Sequence, residues 1–434
     1  MTCVNACTNT LWCRLGDVFG RKRTFLIGVS MFTLASLACG LANGAGVLLV
    51  ARVIQGIGAA VASPTAMALI VVTFAPGKPR NQAFSVFAMM TGLGSVLGLV
   101  VGGALTEASW RWIFLINVPI GVFIVGLGVK YLFSTGQSEK MALDVRGAVL
   151  ATGASTLLVF GMTEGGVGFT APVIGSVVLG VVLLIGFFLS QRTAANPVLP
   201  LGMFAHRSRT FVFVSLLLVG ALLMAMTVQV ALFVQEVLGY GPLTAGLAFI
   251  PFAFALATGS AISGRLAEVV SPRWIVAGGG VILIGGFVFS SMLDEHASYL
   301  PDLLIPILVI GVGLGIVLIP LTLSVVAGVK PTEVGPLTAT SLVCQTLGGP
   351  LGLAAVTAYA EMRTRSRLGS AFDTLNRSAL DDAARAALGD GYTGSLLICA
   401  GLAVVVVILV VAFVKFTPED IREGKAAEAA AQRG

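Results

Sequence analysis

The sequence predicts an all-α polytopic membrane protein, and three observations carry that assignment. Of 434 residues, 57% are hydrophobic and 11% charged, whereas about a quarter of a soluble chain is charged. Apolar runs near the ~20 residues that cross a bilayer core recur along the whole chain. Glycine, which lets membrane helices approach one another closely, occurs 54 times. The runs are continuous, which excludes a β-barrel, where segments of ~10 residues would alternate.

In chain order the runs fall at 24–42, 46–73, 83–105, 112–133, 147–164, 172–190, 210–234, 244–263, 274–293, 303–327, 336–360 and 392–416, which makes roughly twelve spanning helices. When loops are assigned to alternate sides, the side bearing the Arg14 to Arg23 loop collects roughly 19 cations against 6. The positive-inside rule makes that side, with the C-terminal tail, cytoplasmic. This topology accounts for the net charge of +6 without a nucleic-acid partner. Five of the six outer cations lie between Glu361 and Asp390, read as a long outer loop in which SALDDAARAAL forms a short surface helix.

Several chemistries are excluded. The six cysteines, at 3, 7, 13, 39, 344 and 399, form neither a disulfide framework nor a paired zinc-ligand spacing. The two histidines, His206 and His296, both fall in predicted loops, so no metal and no cofactor is expected. No G-x-x-x-x-G-K-[ST] occurs, so no nucleotide is expected as a partner either. The chain is expected to be no enzyme, and any transport by it to be gradient-driven or dependent on a partner.

The opening cluster CRLGDVFGRKRTF has a weaker copy in GRLAEVVSPRW, Gly264 to Trp274. Arg14 falls on Arg265, Leu15 on Leu266, Asp17 on Glu268 and Lys22 on Arg273. Gly56 to Gly58 matches Gly313 to Gly315, and GLGSVLG from Gly92 matches LGGPLG near Gly348. Three landmarks in one order argue for duplicated halves, as in secondary transporters. Two helices precede the second copy, but only MTCVNACTNTLW precedes the first, a stretch of about 18 Å at helical rise. The expected architecture is two six-helix halves with an inserted helix pair, the first helix and most of the second missing. The boundaries are 1–133 for the incomplete N-terminal half, 134–209 for the inserted pair, 210–416 for the C-terminal half and 417–434 for the tail.

These residues resemble the major facilitator superfamily, and within it the fourteen-helix drug:proton antiporters. Leu15, Asp17, Gly20, Arg21 and Lys22 are similar to its loop motif G-x-L-x-D-R-x-G-R-K, with Cys13 and Val18 departing from it. Leu48, Arg52, Gln55, Gly56, Gly58, Ala59 and Ala60 match L-x-x-x-R-x-x-Q-G-x-G-A-A throughout. Gly94, Gly98, Gly102 and Gly103 resemble the antiporter motif G-x-x-x-G-P-x-x-G-G, with Leu99 in place of proline. WRWIFLINVPIG, Trp110 to Gly121, looks like the start of the sixth helix of that branch.

The resemblance implies proton relay for Arg52 with Gln55. On physical grounds Arg52, about 9 Å inside its helix end, either faces a wet cavity or partner or snorkels to the interface. The resemblance makes Arg14, Asp17, Gly20, Arg21 and Lys22, with Arg265 and Glu268, a cytoplasmic gate, while charge balance alone would also place Asp17 there. Gly94, Gly98 and Gly102 share one helix face; they are either simple helix packing or, with Gly103, the sliding seam that the family implies. Pro64 and Pro320 are candidate kinks. Met224, Met226 and Phe233 either line a cavity for apolar ligands or pack in the core.

The implied function is proton-coupled export of amphiphilic or cationic drugs across the bacterial cytoplasmic membrane. It works by rocking of residues 1–133 against 210–416, with protons, a small amphiphile and the lipid bilayer as partners. No acidic residue falls near a predicted helix midpoint, and the family carries such an aspartate on its first helix. A non-coupled, degenerate membrane protein and a metabolite carrier of the same fold stand as alternatives.

Overall fold

A computed structural model describes residues 20–74, 78–132, 145–165, 170–193, 206–294, 297–329, 331–369 and 382–423. The helices are α1 (Arg21–Gly40), α2 (Ala45–Thr73), α3 (Lys78–Ala108), the short α4 (Trp112–Leu115), α5 (Asn117–Tyr131), α6 (Val145–Gly165) and α7 (Ala171–Thr193). They continue as α8 (Arg207–Leu232), α9 (Pro242–Ala248), α10 (Ile250–Leu266), α11 (Pro272–Ser290), α12 (Leu304–Val325), α13 (Pro331–Leu368) and α14 (Asp382–Phe413). Each of the twelve predicted runs coincides with one of these helices or with a consecutive pair. Among the described residues ten segments are long and apolar enough to cross a membrane.

Local chemistry fixes several ends. Gly20 has φ 90, a left-handed conformation open to glycine, and turns the chain into α1. Proline in the first turn opens α9, α10 and α11, where its missing N–H leaves no intrahelical bond unmade. Pro320 lies inside α12, which stays helical on both sides of it. Beside it the Ser324 hydroxyl donates to the Pro320 carbonyl at 2.7 Å. Helix α2 likewise runs on through position 64.

One expectation is corrected. The segment from Glu361 to Asp390, read as a long loop, is helical at both ends: α13 continues to Leu368 and α14 starts at Asp382. Hydropathy misses these turns because they are polar, and polar side chains pairing between the two helices hold them. Asp382, from the stretch read as a surface helix, lies in the first turn of α14, where a carboxylate complements the helix dipole.

The chain divides into two compact units. One holds α1–α5, α6 up to Thr156 and α7 from Gly180; the other holds the rest of α6 and α7 together with α8–α14.

In the first unit α1 and α2 cross at two glycines. A Cβ added at Gly28 would come within 2.8 Å of the Ala62 nitrogen, and one at Gly58 within 2.6 Å of the Phe32 nitrogen. In the second unit α11 and α12 meet in the same way, Gly279 against Ile316 and Val317, and Gly313 against Leu283. The repeat is therefore visible in the packing, with Gly313 taking the part of Gly58. That register is two residues from the one suggested by matching GIG with GLG, because the second glycine of GLG, Gly315, turns toward α10 and meets Leu256 and Ser260.

The second unit carries a continuous core in which Phe213, Leu216, Leu222, Met226, Phe249, Phe287, Ile310 and Leu314 are fully buried. Its helices approach closely at small residues: Gly220 on Gln345, Gly348 on Leu217 and Gly352 on Ala221 between α8 and α13, and Gly259 on Val312 between α10 and α12.

Candidate functional site

Arg52 lies in the second turn of α2 with its side chain exposed. Its guanidinium carbon is 4.6 Å from the ring centroid of Phe114, within cation–π range. Phe114 is buried on α4 in a cluster with Cys39 and Ala51, against which Leu48 packs. Trp110 meets it edge-on, with centroids 6.0 Å apart and planes at 83°. The Arg111 guanidinium carbon lies 4.8 Å from the Trp110 ring, and Arg111 Nη2 donates to the Ala42 carbonyl at 3.2 Å. Two rings in contact thus lie between two cations, Arg52 on Phe114 and Arg111 on Trp110.

Gln55, one turn along α2, points elsewhere. It is buried, and its Nε2 donates to the Ser36 hydroxyl at 2.7 Å, which in turn donates to the Phe32 carbonyl at 2.7 Å. The Gln55 Oε1 is buried without a hydrogen-bond partner, so the amide sits in the α1–α2 seam with half its capacity used. Such an orphaned acceptor costs about 1–3 kcal/mol.

Of the predicted gate, Arg14 and Asp17 lie outside the described residues. Lys22 reaches across to the end of α5, where its Nζ donates to the Val129 carbonyl at 2.9 Å and to the Leu132 carbonyl at 2.5 Å. A cation there satisfies carbonyls that the helix end leaves open and complements its dipole. In the second unit Arg265 ends α10 and Glu268 follows it in the next turn. The Glu268 main-chain carbonyl accepts from Arg422 Nη2 at 2.7 Å. The Gly328 nitrogen donates to the Asp420 carbonyl at 3.2 Å, so residues 417–423 are strapped to the same end of that unit. There Arg209 also donates to the Ala327 carbonyl at 3.1 Å and Ser208 to the Phe413 carbonyl at 2.8 Å.

The predicted glycine seam is open within its unit. A Cβ added at Gly94, Gly98 or Gly102 would meet nothing within 4 Å, and Gly103 is partly exposed. Of Met224, Met226 and Phe233, the last two are buried in the core of the second unit, where the packing alternative puts them. Met224 packs its sulfur against Gly349. Helix α8 packs against α12, α13 and α14, so its methionines meet neighbouring helices.

Two polar groupings were not singled out from the sequence. Arg363 clamps Asp390 with both arms, Nε to Oδ2 at 2.8 Å and Nη2 to Oδ1 at 3.1 Å, while Arg367 Nε lies 3.1 Å from the same carboxylate. Glu236 sits in a π-turn, Phe233–Val237, at the end of α8 and accepts from the Tyr392 hydroxyl at 2.5 Å. The only sequence signal for either was charge at the ends of apolar runs.

A sequence model of the Major Facilitator Superfamily matches residues 1–353. The chain is 42% identical over 424 residues to an uncharacterized transporter of that type, EfpA of Mycobacterium tuberculosis, covering 97% of this chain and 79% of that one. It is 35% identical over 351 residues to the puromycin resistance protein pur8 of Streptomyces alboniger, covering 79% and 69% of the two chains. It is 34% identical over 352 residues to the cephamycin export protein CmcT of Amycolatopsis lactamdurans, covering 79% and 72%. Among solved structures, a bacterial homolog of the human lysosomal transporter Spinster, in an inward-facing and unoccupied conformation, shares the fold. It aligns with TM-score 0.64 at 16% identity over 100% of this chain and 96% of that one. With its membrane-length helices and its duplicated α1–α2 and α11–α12 packing, the chain belongs to the major facilitator superfamily of multi-pass membrane transporters.

Proposed function

We propose that the protein exports amphiphilic or cationic drugs from a bacterial cytoplasm by alternating access, in exchange for protons, with its basic loops and C-terminal tail on the cytoplasmic side. The observation that carries this reading is Arg52, a permanent cation seated on an aromatic ring two turns inside a membrane helix. Its guanidinium can stabilise or release a proton-carrying acid without ever titrating itself. The puromycin and cephamycin relatives support efflux over uptake. In this reading Arg52 is the relay cation, and Gln55 holds α2 against α1 so that Arg52 keeps its height. Asp17 with Arg14, Gly20, Arg21 and Lys22, and Arg265 with Glu268, form the cytoplasmic gate, and the Lys22 bonds to α5 anchor one side of it.

The test is ethidium efflux from energised cells producing the full-length protein. Export that collapses with a protonophore and falls at least about tenfold in Arg52→Ala, a loss of about 1.4 kcal/mol, supports the proposal. Export indifferent to the protonophore rules out proton coupling, and normal export by Arg52→Ala removes Arg52 from the mechanism.

A further inference from the structure

We infer that Phe114 is the positioning residue for Arg52, its ring being the seat on which the guanidinium rests between engagements with other groups. The inference rests on the relay reading of Arg52 for its function, and on geometry for the seat itself.

The ring is a fixed object. It is only 6% exposed, it lies in the Cys39 and Ala51 cluster, and Trp110 meets it edge-on at 83°. Trp110 in turn lies under Arg111, which is tied to the Ala42 carbonyl. The short α4 is closed by main-chain bonds from the Phe114 and Leu115 nitrogens to the Arg111 carbonyl, both at 3.1 Å. Arg111 therefore anchors the turn on two sides, and that turn presents the Phe114 face to α2.

An aromatic face suits this task for a chemical reason. The ring quadrupole attracts the cation but neither accepts a proton nor neutralises the charge. A carboxylate in the same place would form a bidentate pair and hold the arginine far more firmly. A cation resting on a ring keeps its full charge for a competing acid. The stretch W-R-W-I-F from Trp110 to Phe114 thereby gains a physical role: Phe114 supplies the seat, Trp110 wedges it, and Arg111 pins the wedge to α1.

The test uses the full-length protein in two arms. In detergent, thermal unfolding is followed for Arg52→Gln, Phe114→Leu and the double variant. Leucine keeps most of the apolar bulk and removes the π face. A double variant no less stable than the worse single variant supports the contact, and strictly additive shifts overturn it. In cells, the pH profile of ethidium efflux is compared for Phe114→Leu, Phe114→Tyr and Phe114→Trp. The aromatic replacements are expected to retain the wild-type profile. Phe114→Leu is expected to lose about three- to tenfold in maximal rate, with half-saturation unchanged and the profile displaced in the same direction as in Arg52→Lys. If Arg52→Gln abolishes efflux while Phe114→Leu keeps the wild-type profile, the relay reading stands and the seat falls. If Arg52→Gln exports normally, the relay reading falls and the unfolding cycle alone decides the seat.

Discussion

In the second half, Gly348 and Gly352 of α13 press on Leu217 and Ala221 of α8; in the first half their counterparts Gly94 and Gly98 of α3 meet nothing within 4 Å. Yet the same two halves agree closely elsewhere, with Gly58 on Phe32 matching Gly313 on Leu283. The contrast teaches what a stripe of small residues encodes. In the second half it marks the face on which a backbone of the same half lies, whereas the same spacing in the first half has open space around it, so the stripe alone does not specify a contact. Both halves seat a cation on a ring, Arg52 on Phe114 and Arg273 on Trp274, and the second also gives two of its acids, Asp390 and Glu236, strong donors in Arg363 and Tyr392.

The sharpest way to break the comparison is to add one methyl group to each stripe. Gly348→Ala drives a Cβ into the Leu217 carbonyl and is expected to cost about 3 kcal/mol, the upper part of the range for overpacking. Gly94→Ala, with open space around it, should be neutral or gain up to ~1 kcal/mol from helix propensity. Thermal unfolding of the two purified variants checks this, and equal shifts would show that the stripes do not differ.

The next effect is electrostatic. Arg363→Ala removes the two-armed clamp on Asp390 but leaves Arg367 beside it. Because the Arg363 side chain is 36% exposed, solvent screening holds the expected loss to about 1 kcal/mol. Denaturation at low and high salt reads it, and a salt-independent loss would point to packing instead.

Smaller still in stability, Gln55→Leu replaces a half-satisfied buried amide with an apolar side chain of similar size and should change unfolding by less than ~1 kcal/mol. Export should then stay within about threefold of wild type if Gln55 only holds the seam. A tenfold loss at unchanged stability would place the amide in the relay itself. The mildest change is expected from Lys22→Met, which opens two carbonyls at the end of α5 and should cost about 0.5–1 kcal/mol. Faster amide exchange confined to residues 129–132 would report it, and unchanged exchange there would show that Lys22 does not cap α5.

The positions and order of the helices were legible because lipid imposes a coarse rule: each crossing needs a run of apolar residues of fixed length. Arg52, a cation inside such a run, stood out for the same reason. What surrounds it did not. Phe114 lies within the stretch WRWIFLINVPIG, but nothing in that pattern says that its ring faces a guanidinium. Arg363 and Asp390 were read as loop charges because hydropathy stops where apolar residues stop, whereas a polar helix goes on as long as its side chains find partners.

The sequence by itself determined an all-helical membrane protein and its duplicated halves, since these follow from composition, apolar periodicity and repeat spacing, and its motifs resembled the family to which it belongs. The tertiary structure alone decided that Gln55 and Arg52, one turn apart, serve different neighbours, that Lys22 caps α5, and that Met226 and Phe233 belong to the core. The physical reason is directional. An α-helix turns its side chains through about 100° per residue, so neighbours in sequence face different surroundings, and which surroundings those are depends on residues tens of positions away.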